Sequence, residues 1–323
     1  MFPDPVLPVP PPPVDPAWPL RRWLVHGGCL LATFVVTTFF GGWHYLGFLT
    51  DVGQAPPVLP LTGARFWFGG LWFSVSVLAI LGAHEAGHYV ACRRYGVDAS
   101  LPYFLPAPLP LTGTFGAFIR IRDVIPHKRA LFDIGAAGPF AGFVVAVPLL
   151  VLGLWLSRPV PMPTHLEMIA LGEPLIYQAA EHALWGSLPG DQLLHLHPVG
   201  IAAWFGLLAT ALNLFPVAQL DGGHVAYAVF GARARWITLA SAAVILALTL
   251  VSGSWITWAA LVVVVLFVAG PSHPPTANDL VPLGRRRLAL AVAAVLVFAL
   301  CFTPAPIEVV EREAPPPPSG AAR

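Results

Sequence analysis

The sequence predicts an all-α polytopic membrane protein of about six to seven transmembrane helices, with a short amphipathic β-strand or hairpin in a cytoplasm-side loop. Three observations carry this. Of 323 residues, 57% are hydrophobic and only 10% charged, against about 25% charged in a soluble globular domain. The mean hydropathy is +0.74. The apolar residues are also gathered into runs near the ~20 residues that a helix needs to cross a ~30 Å hydrocarbon core.

The elements follow in chain order. Residues 1–20 ("FPDPVLPVPPPPVDPAWP" within them) are proline-rich and lack the small-residue cleavage pattern of a signal peptide, so they read as a disordered or polyproline arm. A first span at 24–49 carries His26 and His44, read as packing or interfacial residues. A second runs 66–92. The loop 93–131 contains "GTFGAFIRIRD" (113–123), where Phe115, Ala117, Ile119 and Ile121 alternate with Gly116, Phe118, Arg120 and Arg122. That period of two predicts an amphipathic strand. The third span, 134–156, holds Gly138 and Gly142, a GxxxG suited to close helix packing.

The outer loop 157–198 is acidic and carries His165, His182, His195 and His197, read as solvent-exposed; it is too short for a typical independent domain. A fourth span, 199–218, is broken by Pro216. The uncharged stretch 236–270 is too long for one span and long enough for two, turning at Ser252-Gly253-Ser254. The last span is 286–303. A membrane-embedded domain thus covers 21–304, with its core at about 66–275, and 305–323 read as a disordered tail.

Charge placement orients the chain. With the N-terminus in the cytoplasm, the inner side receives Arg21, Arg22, Arg93, Arg94, Arg120, Arg122, Lys128, Arg129, Arg233, Arg235 and Arg285 to Arg287. The outer side keeps Arg65, Arg158, Arg312 and Arg323, as the positive-inside rule prefers. Spans two and four then both run inward, so the polar residues at their ends meet at one cytoplasm-facing depth. The many arginines beside a single lysine point to a GC-rich bacterial genome, hence a bacterial inner membrane. A net charge of +1, with no basic cluster interleaved with aromatics, excludes a nucleic-acid partner. Cys29, Cys92 and Cys301 fall at unrelated spacings in apolar segments, giving neither a disulfide framework nor a CxxC pair.

The chemistry sits in "LGAHEAGHYV" (81–90). His84, Glu85 and His88 are the only charged or imidazole-bearing residues between 66 and 92, and ionisable groups at membrane depth mark a site by default. In H-E-x-x-H on a helix the histidines lie one turn apart on one face, so two imidazole nitrogens can share one ion. The glutamate beside them can accept a proton from an attacking water. A catalytic zinc takes three protein ligands and keeps a fourth position open. Asp221, beside Gly222 and Gly223, is the candidate third ligand, against the plainer reading of a helix-boundary residue. Asn213 is a neutral polar group in hydrocarbon that needs a partner. His224 reads as a loop residue near the site rather than a ligand.

Three stretches, "HEAGH" (84–88), "GAAGPFAG" (135–142) and "NLFPVAQLDGG" (213–223), together resemble the site-2 protease family of intramembrane zinc metalloproteases, as a bacterial-type member without a PDZ domain. "GPSHPPTAND" (270–279) is similar to a segment that follows the core in some members. The chain departs from the pattern at Val217-Ala218, where many members have a second proline. The resemblance implies one Zn²⁺ per chain held by His84, His88 and Asp221, with Glu85 as catalytic base and Asn213 holding substrate or stabilising the oxyanion. It implies hydrolysis of peptide bonds in or near the transmembrane helices of single-span substrates within the bilayer, as in regulated intramembrane proteolysis. The rivals are a divalent-cation (zinc) transporter and a catalytically inactive relative that binds membrane helices.

Overall fold

The computed structural model describes residues 20–50, 63–162 and 166–312; most of the proline-rich arm and the end of the tail lie outside the described residues. In order these form α1 (Leu20–Leu49), α2 (Ala64–Arg94), β1 (Tyr103–Pro106), β2 (Thr114–Phe118), α3 (Lys128–Leu156), β3 (Arg158–Pro161) and β4 (Leu166–Leu171). Then follow α4 (Leu175–Trp185), β5 (Gln192–His195), α5 (Pro198–Leu214), α6 (Asp221–Phe230), α7 (Ala234–Leu248), α8 (Trp255–Ala269), α9 (Arg285–Cys301) and β6 (Ile307–Arg312).

Among the described residues, four helical stretches are long and apolar enough to cross a membrane, Arg22–Leu49, Ala64–Arg94, Lys128–Leu156 and Asp221–Leu248, which does not confirm the expected six to seven. The difference has local causes. Residues 215–220 separate α5 from α6, so α5 ends at Leu214 with 17 residues, consistent with Pro216 withholding a helical donor. The chain re-enters a helix at Asp221, well before the expected start at 236, and continues through a 3₁₀ turn at Gly231–Arg233 into α7. The expected turn at Ser252-Gly253-Ser254 does separate α7 from α8, a shorter apolar helix. α9 has 17 residues and opens on three arginines.

The main core lies where α3, α5, α8 and α9 meet, around Leu150, Trp204, Leu207, Phe215, Trp255 and Val297. Its two large indoles are not left unsatisfied: Trp204 Nε1 donates to Gly172 O (2.6 Å) and Trp255 Nε1 to Pro304 O (2.7 Å), as buried indole N–H groups require.

Three two-stranded antiparallel sheets complete the fold, β1–β2, β3–β5 and β4–β6. In the first, Tyr103 faces Phe118 and Phe104 faces Ala117. The alternation expected over 113–123 holds for Ala117, Ile119 and Ile121, which pack on buried neighbours. It fails at Phe115, which is 70% exposed. Gly116 has φ +103° there, and the register shifts at Leu105/Pro106; such a bulge turns the preceding side chain off its face. β6 pairs along its length with β4, so the segment read as a disordered tail from 305 contains a strand. The outer loop contributes strands and α4 without an independent core.

Candidate metal centre

The site is assembled from α2, α3, α5 and α6. His84 and His88 sit one turn apart on α2, buried at 7% exposure each, with Glu85 at 5% beside them. α6 begins with Asp221, whose side chain reaches back to the pair. Asp221 Oδ2 lies 3.2 Å from His84 Nε2 and 3.2 Å from His88 Nε2, and the two Nε2 atoms are 3.1 Å apart. Four of the expected site residues, His84, His88, Asp221 and Asn213, therefore meet at one point, with Asn213 Nδ2 of α5 3.4 Å from His84 Nε2. Glu85 is the fifth, on the same turn, and the Ile119 backbone just past β2 interacts with its carboxylate.

The donor set fits a cation. His88 Nδ1 donates to the Ile134 carbonyl at 2.7 Å. A carbonyl only accepts, so Nδ1 carries the proton and Nε2 presents its lone pair to the shared point. An imidazole lone pair, a second imidazole nitrogen and a carboxylate oxygen converge, a set of donor atoms that one shared cation would satisfy together. Ligands of a tetrahedral zinc bound at ~2.0–2.1 Å lie about 3.3 Å from one another, close to the 3.1–3.2 Å found. Among the described residues this is the one group of histidine, cysteine and carboxylate side chains close enough to hold a metal ion.

α3 seats the histidines. A Cβ at Gly138 would overlap the His88 ring, and one at Gly142 would come 3.3 Å from His84 Cβ. The GxxxG is thus helix packing of a specific kind: it lets α3 lie directly against the two ligand rings. The loop before α6 is shaped by Ala218, at φ +44°, whose N–H donates to Thr238 Oγ1 at 3.1 Å. Proline could neither adopt that φ nor make that bond, which accounts for this chain's departure from the double-proline pattern.

Several residues have roles that differ from the sequence reading. His224 Nδ1 pairs with His273 Nε2 at 2.6 Å, joining α6 to the 270–282 segment; the "GPSHPP" string marked His273, but nothing local named its partner. His26 and His44 do pack, on Tyr103 and Phe73, and each also contacts a carbonyl, of Pro102 and Leu111. His197 is not in solvent: it is buried between Phe48 and Trp72 and caps α5 by accepting from Val199 N–H. Burial holds its pKa down to about 4. His165 lies outside the described residues.

Comparison with known proteins agrees with this geometry. Residues 72–256, more than half of the chain, match Peptidase family M50. "Probable zinc metalloprotease EGY1, chloroplastic" of Arabidopsis thaliana is 32% identical over 241 residues, covering 73% of this chain and 43% of that protein. "Probable zinc metalloprotease EGY2, chloroplastic" of Oryza sativa subsp. indica is 33% identical over 165 residues (51% and 30%), and its Arabidopsis thaliana namesake 28% over 247 residues (76% and 44%). The chain spans less than half the length of these relatives. They are plant proteins, so the expectation of a bacterial-type member is not borne out. No solved structure matches significantly. A His-His-Asp centre beside an intrahelical glutamate, in a chain matched over more than half its length, leads to one statement: the chain belongs to peptidase family M50, the site-2 protease family.

Proposed function

We propose that this chain is a membrane-embedded zinc endopeptidase that hydrolyses peptide bonds in or near the transmembrane helix of single-span protein substrates, as a step of regulated intramembrane proteolysis. The observation that carries the reading is the convergence of His84 Nε2, His88 Nε2 and Asp221 Oδ2 within 3.2 Å of one another, beside a buried glutamate. In this reading α5, α8 and α9 also cross or enter the bilayer, and the centre lies toward the side that carries the basic loops.

His84, His88 and Asp221 would hold the zinc, which when bound would supply the Lewis acidity that activates water and polarises a carbonyl. Glu85 accepts the proton of the attacking water at its carboxylate and passes it to the leaving amine. Asn213, within 3.4 Å of a ligand nitrogen, offers an amide N–H to the oxygen that becomes negative in the tetrahedral intermediate. A transmembrane helix keeps its carbonyls engaged in its own hydrogen bonds, so the substrate must unwind before attack. β2 pairs with β1 on one side, and its other edge leads to Ile119, beside Glu85. An unwound segment adding to that edge arrives at the base. A transport path would need further polar sites along the bilayer, and among the described residues the metal-binding group stands alone.

The test is cleavage of a single-span reporter by the full chain in proteoliposomes. Glu85→Gln is expected to reduce turnover by roughly 10²–10⁴-fold, the range of general-base contributions. Undiminished cleavage by Glu85→Gln removes Glu85 from the chemistry, and no cleavage by the wild type across a panel of spans removes the protease reading.

A further inference from the structure

The β1–β2 hairpin is suspended from α1 at two points. His26 Nδ1 contacts Pro102 O (3.2 Å) at its root and His44 Nε2 contacts Leu111 O (3.0 Å) at its tip. Those histidines are separated by five turns of one helix, about 27 Å along its axis. The hairpin therefore runs beside α1 across most of a hydrocarbon core, and Gly113 near its tip packs on the Thr37 backbone.

A non-helical backbone at that depth is tolerated only where its polar groups are satisfied within the protein. The tip meets this requirement in two ways. Pro102, Pro106, Pro108 and Pro110 carry no N–H, so the segment offers few donors that need partners. Several of the groups that remain are paired within the tip: Ala107 N–H with Gly113 O (3.1 Å), Thr112 and Gly113 N–H with Leu109 O (3.1 and 2.8 Å), and Thr112 Oγ1 with Thr114 O (2.9 Å). The Leu111 carbonyl is met from α1, by His44. A carbonyl only accepts, so His44 donates from Nε2.

We propose that His44 is a positioning residue that locks the hairpin tip to α1, and so sets the register of the β2 edge against Glu85. This rests on the reading above that the β2 edge presents substrate. His44 lies on α1, which carries none of the proposed zinc ligands, and acts only through the hairpin. Its ring also packs on Phe73, with centroids 4.9 Å apart, so packing and hydrogen bonding must be separated. His44→Phe keeps a ring and loses the donor; His44→Gln keeps a donor at the Nε2 position. His44→Leu serves as a second donor-less variant and is read in the same way.

Two readouts apply to the full chain in nanodiscs. Spin labels replace Phe115 on the hairpin and Val90 on α2, 70% and 64% exposed, in a Cys29→Ser background; Cys92 and Cys301 are buried. The expected result is a narrow distance distribution in the parent, a broadened one in His44→Phe, and recovery in His44→Gln. In reporter cleavage, the donor-less variants are expected to raise KM about tenfold, with kcat and zinc content little changed, and His44→Gln to restore KM. A His44→Phe distribution that superimposes on the parent overturns the proposal, and so does failure of His44→Gln to recover it. The distance measurement needs no substrate, so it decides on His44 even if the protease reading fails.

Discussion

The His88 ring is gripped from two directions. Ile134 O takes its Nδ1 proton at 2.7 Å, and Gly138 leaves room for its other edge. Groups that orient a ligating histidine are commonly worth 10–100-fold in metal affinity. Gly138→Ala, whose Cβ would overlap the ring, is therefore expected to weaken zinc binding by at least about tenfold in a chelator-competition titration. Gly142→Ala, whose Cβ comes no closer than 3.3 Å to His84, should be much milder. Equal affinities for the two variants would mean that α3 does not seat the rings. At this scale the sequence was informative where the geometry is local. His84, Glu85 and His88 follow from one turn of helix. Asp221 needed an inference about depth, and the His224–His273 pair joins residues 49 apart with no periodicity to link them.

Among the elements, the strand past β1 does the most for its size. Ala117 packs on Phe104 and its neighbours while Ile119 reaches the cluster under α2 and α3, so one face is fixed by burial and one edge is left for a partner. Proline at Ile119 deletes a backbone N–H just past β2 without replacing a metal ligand, and with it the backbone contact to the Glu85 carboxylate. The expected outcome for Ile119→Pro is reporter cleavage lowered by about tenfold or more, with zinc retained at wild-type content. Loss carried by KM marks the edge and loss carried by kcat marks the Glu85 contact, while wild-type cleavage would exclude strand addition at this edge. The alternation that marks this strand was legible, as was the 252–254 turn. The bulge at Gly116 was not, because a period of two says nothing of φ. β6 was hidden too, since a six-residue strand with a partner as distant in sequence as Leu166–Leu171 has no local signature beyond its β-branched residues.

For the molecule as a whole, long-range polar contacts gather around the metal centre's side. Arg287 donates to both oxygens of Asp133 (2.8 and 2.7 Å), which also takes the Tyr95 hydroxyl, tying α9 to α3 and the end of α2. Tyr227 bonds Asp279 at 2.6 Å, and Ala277 and Asn278 N–H donate to Ile125 and Pro126 O. The segment after α8 is thereby strapped across α6 and the entry to α3. This arrangement holds Asp221 at the point where the two α2 histidines meet, and that point is the central claim. The most direct test is the zinc content of the detergent-purified full chain, wild type beside Asp221→Ala and Glu85→Gln. One zinc per chain, lost in Asp221→Ala and kept in Glu85→Gln, is the predicted result. Zinc absent from the wild type, or retained without Asp221, would contradict the three-ligand centre.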